Sequence, residues 1–253
     1  MTDHVKVERA GAVLAITLAR PERRNAITVA MYAALADAVE SAANDPTVRL
    51  ITLEGDGEDF TAGNDLADFL SARPDPGVGD LPVWRYLRAL ADNAVPILAC
   101  VQGNAVGIGT TMLMHCDLVV AERGCRFHLP FVDLGLVPEA ASSLIMPDFA
   151  GRRRAARHLL LAEPFGAEEA LTMGLASHVA ERGEARALRD RLVATVLAKP
   201  AEAMRQTQAL LRRVDRAAVL DRMELENGHF AERLQSDEVK QAIAAFFAAR
   251  AKA

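Results

Sequence analysis

The stretch Gly103–Asp117, GNAVGIGTTMLMHCD, restricts the possible folds of this chain more than any other. Before it runs Pro96–Val101, a short apolar segment opened by proline, which suits a buried strand. After it comes a second such run, Leu118–Ala121. Between the two, Gly103, Gly107 and Gly109 let the backbone turn where a Cβ would obstruct it. Thr110–His115 is then long enough for about two helical turns. A strand, a glycine turn and a helix start aim unpaired backbone N–H groups at one point. Such a point stabilises negative charge, on a phosphate or on an oxyanion.

The turn lacks the Lys-Ser/Thr of a phosphate-binding loop, and Gly107-Ile-Gly109 is followed by Thr-Thr-Met rather than a third glycine. A single turn of this kind fits a tight helix–sheet connection equally well. A second one changes the balance. Phe60–Leu66, FTAGNDL, follows the strand-like segment Val48–Leu53 and the polar loop Gly55–Asp59. Gly63 turns the chain there, and Asn64 and Asp65 can begin a helix. Two strand-to-helix turns, each offering a free N–H, are the parts of an oxyanion hole.

The two stretches together, FTAGNDL and VPILACVQGNAVGIGTTMLMHCD, resemble the crotonase (enoyl-CoA hydratase/isomerase) superfamily. The resemblance runs from Arg20–Ala26, RPERRNA, to Ala244–Phe247, AAFF. It implies an α/β fold in two parts. Residues 1–198 form a crotonase-like ββα spiral core with the acyl-CoA site, and residues 199–253 form a C-terminal helical trimerisation region. It also implies a homotrimer or a dimer of trimers. The backbone N–H groups of Asn64 and Ile108 would hold the thioester oxygen as it becomes enolate-like. The loop with Arg23, Arg24 and Ala26 would lie over the coenzyme A moiety, its arginines toward phosphate. Ala62, Gly63, Asp65 and Leu66 in the first turn, and Gly107 in the second, would border the substrate. Coenzyme A enters only as part of the substrate, so no separate cofactor and no metal is expected.

Hydratases of this family use two glutamates to hold a water, and the matching positions here are Thr111 and Phe131. Neither can act as a carboxylate base. Glu139, in LVPEAASS, is the carboxylate that remains close by. Burial among its apolar neighbours would raise its pKa toward the range of a general base. A first-turn glutamate favoured by the helix dipole is the plainer alternative. The resemblance favours the base, because GND, AVGI and Pro-Glu before small residues look like the peroxisomal type of 3-enoyl to 2-enoyl-CoA isomerase. In that branch one glutamate carries the proton from C2 to C4. The rival readings are a hydratase or another crotonase reaction, and a binding protein that keeps the pocket without turnover.

The rest of the chain fits a single globular unit. Its 253 residues, 51% hydrophobic, can bury a sizeable core. A net charge of −5 argues against a general nucleic-acid binder. No apolar run reaches transmembrane length and no basic-plus-apolar leader opens the chain. Three cysteines, an odd number, suit a reduced compartment, and the cytoplasm is the expected location. Ala251-Lys-Ala253 is unlike a peroxisomal Ser-Lys-Leu. His115, Cys116, Cys125 and His128 match no usual zinc spacing. Ser142 and Ser143 lack a G-x-S-x-G elbow.

Local patterns place the elements. Val5–Val7 and Val13–Leu18 read as a hairpin. Thr28 caps a helix with Met31, Leu35, Val39 and Ala42 on its apolar face. Arg73–Gly79 is rich in breakers and reads as a mobile loop. Leu81–Asn93 is a helix carrying Trp84 as a packing residue. Arg126–Pro130 reads as a strand, Phe131–Pro138 as a loop, and Glu139–Leu144 as a helix start. Gly151–His158 opens a helix with an apolar stripe at Leu159–Leu161. A last strand, Ser177–Ala180, precedes helical patterns over 185–198, 201–213, 217–234 and 237–247.

Overall fold

Strand pairing begins at a hairpin, where Val5–Ala10 (β1) runs antiparallel to Val13–Leu18 (β2). The computed structural model describes residues 2–71, 81–212 and 216–250, so the breaker-rich loop at 73–79 and the tripeptide at 251–253 lie outside the described residues. The later strands among them are Leu50–Gly55 (β3), Ile97–Val101 (β4), Asn104–Val106 (β5), Leu118–Glu122 (β6), Arg126–His128 (β7), Phe165–Gly166 (β8) and His178–Ala180 (β9). One sheet has the order β1-β2-β3-β4-β6-β9, parallel from β2 onward. Parallel neighbours need crossovers, and helices supply them. Val29–Asn44 (α1) links β2 to β3, while Leu66–Ser71 (α2) and Pro82–Asp92 (α3) lie between β3 and β4. Thr28 caps α1 by accepting from Met31 N at 3.2 Å.

Alternation along the strands divides the core between the two faces of this sheet. Leu14, Ile16, Ile51, Leu53, Ala99 and Val119 join Met31, Leu35 and Leu87 of α1 and α3 on one face. Val13, Leu50, Leu98, Cys100 and Val120 join Ala185 and Val196 of the helix Ala185–Leu197 on the other. A second sheet, β5-β7-β8, is small and is keyed by Phe127 stacked on Phe165 at 5.2 Å. It carries the glycine turn into Ile108–Thr111, here α4.

The remaining helices are Ser142–Ala150 (α5), Arg152–Leu160 (α6), Ala167–Met173 (α7), the helix Ala185–Leu197 already met (α8), Ala201–Arg212 (α9), Arg216–Leu234 (α10) and Asp237–Arg250 (α11). The last two return to this chain's own core. Phe230 of α10 meets Trp84 edge-on at 6.5 Å, and Met223, Phe230, Val239 and Ile243 belong to the same apolar cluster as the sheet and α1. Apolar packing is therefore continuous across residue 198. Arg233 Nε donates to Gly135 O at 2.8 Å, which ties α10 to the loop before Glu139.

Three local readings need correction. Helix α5 starts at Ser142, because Ala140 and Ala141 both hold the left-handed conformation (φ 60° and 56°) and break any helix from Glu139. Only Leu159 of the Leu159–Leu161 stripe is buried; Leu160 and Leu161 are 68% and 65% exposed at the end of α6. Strand β5 is new, too short for a periodic signal and held by pairing with β7.

Candidate active site

The two glycine turns are packed backbone on backbone. Thr61 N donates to Asn104 O at 2.9 Å, and Val106 N donates back to Thr61 O at 3.1 Å. Gly63 has φ +87°, and a Cβ there would lie 2.6 Å from Val106 O. No other residue type fits that contact without moving the second turn. Gly107, at φ +56°, caps the start of α4 and leaves Ile108 as the first helical residue. Ile27 closes the first turn from outside, donating to Gly63 O at 2.8 Å and accepting from Asp65 N at 2.9 Å. These bonds use the neighbours of Asn64 and Ile108. Among the described residues, the N–H groups of Asn64 and Ile108 themselves have no protein acceptor. The arrangement supplies two spare donors on adjoining turns, as an oxyanion site requires.

The loop at 20–26 is shaped around a buried side chain that the sequence reading passed over. Asn25 accepts from Arg20 N and donates to Asp56 O and Asp59 O, each at 2.8 Å. Arg20 also escaped notice; its guanidinium bonds Asp65 Oδ2 at 2.7 Å and Ala26 O at 3.0 Å. Burial would push the Asp65 carboxyl up, but Arg20 and the N–H groups of Asp68 and Ala67 together hold it below the usual range. Asp65 thus braces the turn, and Leu66 opens α2 directly after it. Arg23 and Arg24 are exposed, Arg24 reaching Asp59 at 3.7 Å while its carbonyl accepts from Ala62 N.

Glu139 is 2% exposed, and its Oε1 has no hydrogen-bond partner. Burial, and after it the charge of Glu226, push its pKa up to about 8. The left-handed pair behind it costs on the order of 1–2 kcal/mol per residue. His115 Nε2 donates to Ala140 O at 2.8 Å and helps to hold that turn. Tyr32, from α1, connects the carboxylate to the first glycine turn. Its hydroxyl donates to Asn64 Oδ1, and burial first, then the Glu139 charge, push its phenol well above the ordinary value. Thr111 is buried, its hydroxyl 3.5 Å from Ile108 O, and Phe131 is buried at the N-cap of the 3-10 turn Val132–Leu134. The two positions matched to hydratase carboxylates are thus an alcohol turned onto its own helix and a phenyl ring.

Tyr32 and Glu226 were both missed from sequence. Glu226 had a readable signal: it sits three residues after Met223 and four before Phe230, on the buried stripe of α10. A carboxylate on such a stripe needs a partner.

With this geometry in place, the comparisons with known proteins are specific. The family described as Enoyl-CoA hydratase/isomerase matches residues 8–252, and the chain belongs to that family, whose members are enzymes. Enoyl-CoA delta isomerase 2 of Rattus norvegicus is 36% identical over 179 residues, 69% of this chain, and this chain spans about half (46%) of the rat protein. The 2,3-dehydroadipyl-CoA hydratase of Escherichia coli (strain K12) is 33% identical over 173 residues, 68% of each protein. Among solved structures, an enoyl-CoA hydratase/isomerase from Pseudoalteromonas atlantica T6c is 39% identical and superposes with a TM-score of 0.91 over 97% of both chains. The crotonase fold is shared along nearly the whole chain.

Proposed function

We propose that this protein isomerises acyl-CoA double bonds, converting a 3-enoyl-CoA into the 2-enoyl-CoA. The observation that carries this reading is Glu139, a buried carboxylate whose Oε1 has no hydrogen-bond partner. The thioester oxygen accepts from the N–H groups of Asn64 and Ile108. Glu139 takes a proton from C2, and the electron pair spreads over the thioester and the former double bond as a dienolate. Returning the same proton to C4 moves the double bond to C2–C3. Nothing is added or lost, so one acid/base group suffices. The exposed Arg23 and Arg24 would meet the phosphates of coenzyme A. The presence of hydratases among the relatives keeps hydration as the competing reading.

The two readings separate in one assay. Side by side, kcat/KM for isomerising a 3-enoyl-CoA should far exceed that for hydrating its 2-enoyl isomer, across a panel of chain lengths. Thr111 and Phe131 offer no pair of carboxylates to hold a water. Hydration at an equal or greater rate would end the isomerase assignment.

The working form is a homotrimer or a dimer of trimers, in the cytoplasm. Leu160, Leu161, Leu210, Leu211 and Leu225 are all more than half exposed, apolar area that a partner copy would cover. Light scattering should give three or six times the monomer mass, and a stable monomer in dilute solution would refute the assembly.

A further inference from the structure

Helix α5 begins without a cap of its own. Its N-cap is Ala141, which has no polar side chain, and the turn before it is held left-handed at two alanines. The missing cap comes from 85 residues away: Glu226 Oε2 accepts from Ala141 N at 2.6 Å, and Oε1 accepts from Ser143 N at 2.9 Å. Glu226 is itself 5% exposed. Two buried carboxylates therefore share one short turn, Glu226 held by its amides and Glu139 with Oε1 unpartnered.

We propose that Glu226 is a positioning residue for the reaction: it clamps the turn that presents Glu139 and places a negative charge beside that base. The inference rests on the acid/base reading of Glu139. Among the described residues, the charged and titratable groups that bear on Glu226 come from its own helix, from the turn and from α1. Burial raises the Glu226 pKa, against the Ser143 and Ala141 hydrogen bonds and, on its own helix, the charge of Arg222, which also donates to Ser143 Oγ at 3.0 Å. Glu139 faces it from the turn, with His115 on Ala140 O and Tyr32 behind, from α1. Farther along α10, Arg216 is paired with Asp92, and Arg233 with Glu238. Glu226, through Ala141 N and Ser143 N, and His115, through Ala140 O, thus act on the turn that directly follows the base.

The test is the pH profile of the isomerase reaction in Glu226→Gln. Glutamine fills the same space, but it carries no charge, and its NH2 group opposes one of the two backbone N–H donors. The acidic limb of kcat/KM should move to lower pH, because Glu139 no longer ionises beside a charge. The plateau of kcat should fall ~10-fold, since even small misplacement of a reacting group is costly. Glu226→Asp keeps the charge and loses the reach. Its limb should stay near that of the wild type while its kcat falls. A Glu226→Gln enzyme with an unmoved limb, whether or not its melting temperature drops, would reduce Glu226 to a structural cap and overturn the proposal. If Glu226→Gln does not fold, Glu226→Asp decides: wild-type kcat there overturns the clamp. Glu139→Gln, assayed in parallel, separates the two readings. Turnover retained in Glu139→Gln means the base was misassigned, whereas its loss beside a wild-type-like Glu226→Gln means that only this inference fails.

Discussion

Glu139→Gln is expected to lower kcat for double-bond migration by ~10²–10⁴-fold, the range typical of a positioned general base, with KM little changed. The amide keeps the volume of a side chain that is almost fully buried, so packing should survive. It cannot take or return a proton. The wild-type enzyme should gain activity as pH rises through about 8, where Glu139 ionises, and the residual activity of the variant should lose that limb. Stability should respond in the opposite sense. The folded state holds the Glu139 proton more tightly than the unfolded chain, whose value is near 4.5, so its contribution to stability is intact below that value and lost as pH climbs through about 8. Melting temperatures recorded across this window should therefore fall more steeply for the wild type than for Glu139→Gln. A variant that keeps a tenth or more of wild-type turnover would remove Glu139 from the chemistry.

Ile108→Pro is expected to cost ~10²–10³ in kcat, equivalent to roughly 3–4 kcal/mol, the usual effect of losing one oxyanion donor. Proline is the only substitution that deletes a backbone N–H. Ile108 is the first residue of α4, a position where a helix accepts proline, so the fold should tolerate it. Ile108→Val keeps the N–H and should keep the activity, at a stability cost of about 0.5–1.5 kcal/mol from the methylene removed from a fully buried side chain. The measurement is single-turnover isomerisation on both variants, with circular dichroism melts to establish folding. Full activity in a folded Ile108→Pro enzyme would exclude this N–H from the site.

Both glycine turns could be read from sequence because their determinants are local. A glycine, the strand before it and the helix start after it lie within a few residues, and the spare N–H groups follow from helix geometry. Thr28 as a cap and the apolar face of α1 were legible for the same reason. The turn around Glu139 was not, because two left-handed alanines carry no turn signal of their own. Their conformation is imposed by His115 from the helical segment after α4 and by Glu226 from α10, both distant in sequence. Tyr32 escaped for a related reason: it reads as one more apolar residue of α1 until the fold sets its hydroxyl against Asn64. The strands β5 and β8 are three and two residues long, too short for a period of two to register. The arginine loop was located correctly as an arginine-rich turn, but its shape depends on Asn25 and Arg20 rather than on the two exposed arginines that stand out.

The long reach of Glu226 also bears on the order in which the protein can be completed as it leaves the ribosome. Every strand of the large sheet and both glycine turns lie ahead of α10 in the chain, so the parallel core can assemble while the C-terminal helices are still being made. The turn at Ala140–Ala141 cannot. Its cap is 85 residues downstream, and until α10 emerges the amides of Ala141 and Ser143 have only water to bond. A nascent chain would thus hold its two spare donors early and its aligned base late, and competence would wait for the middle of α10.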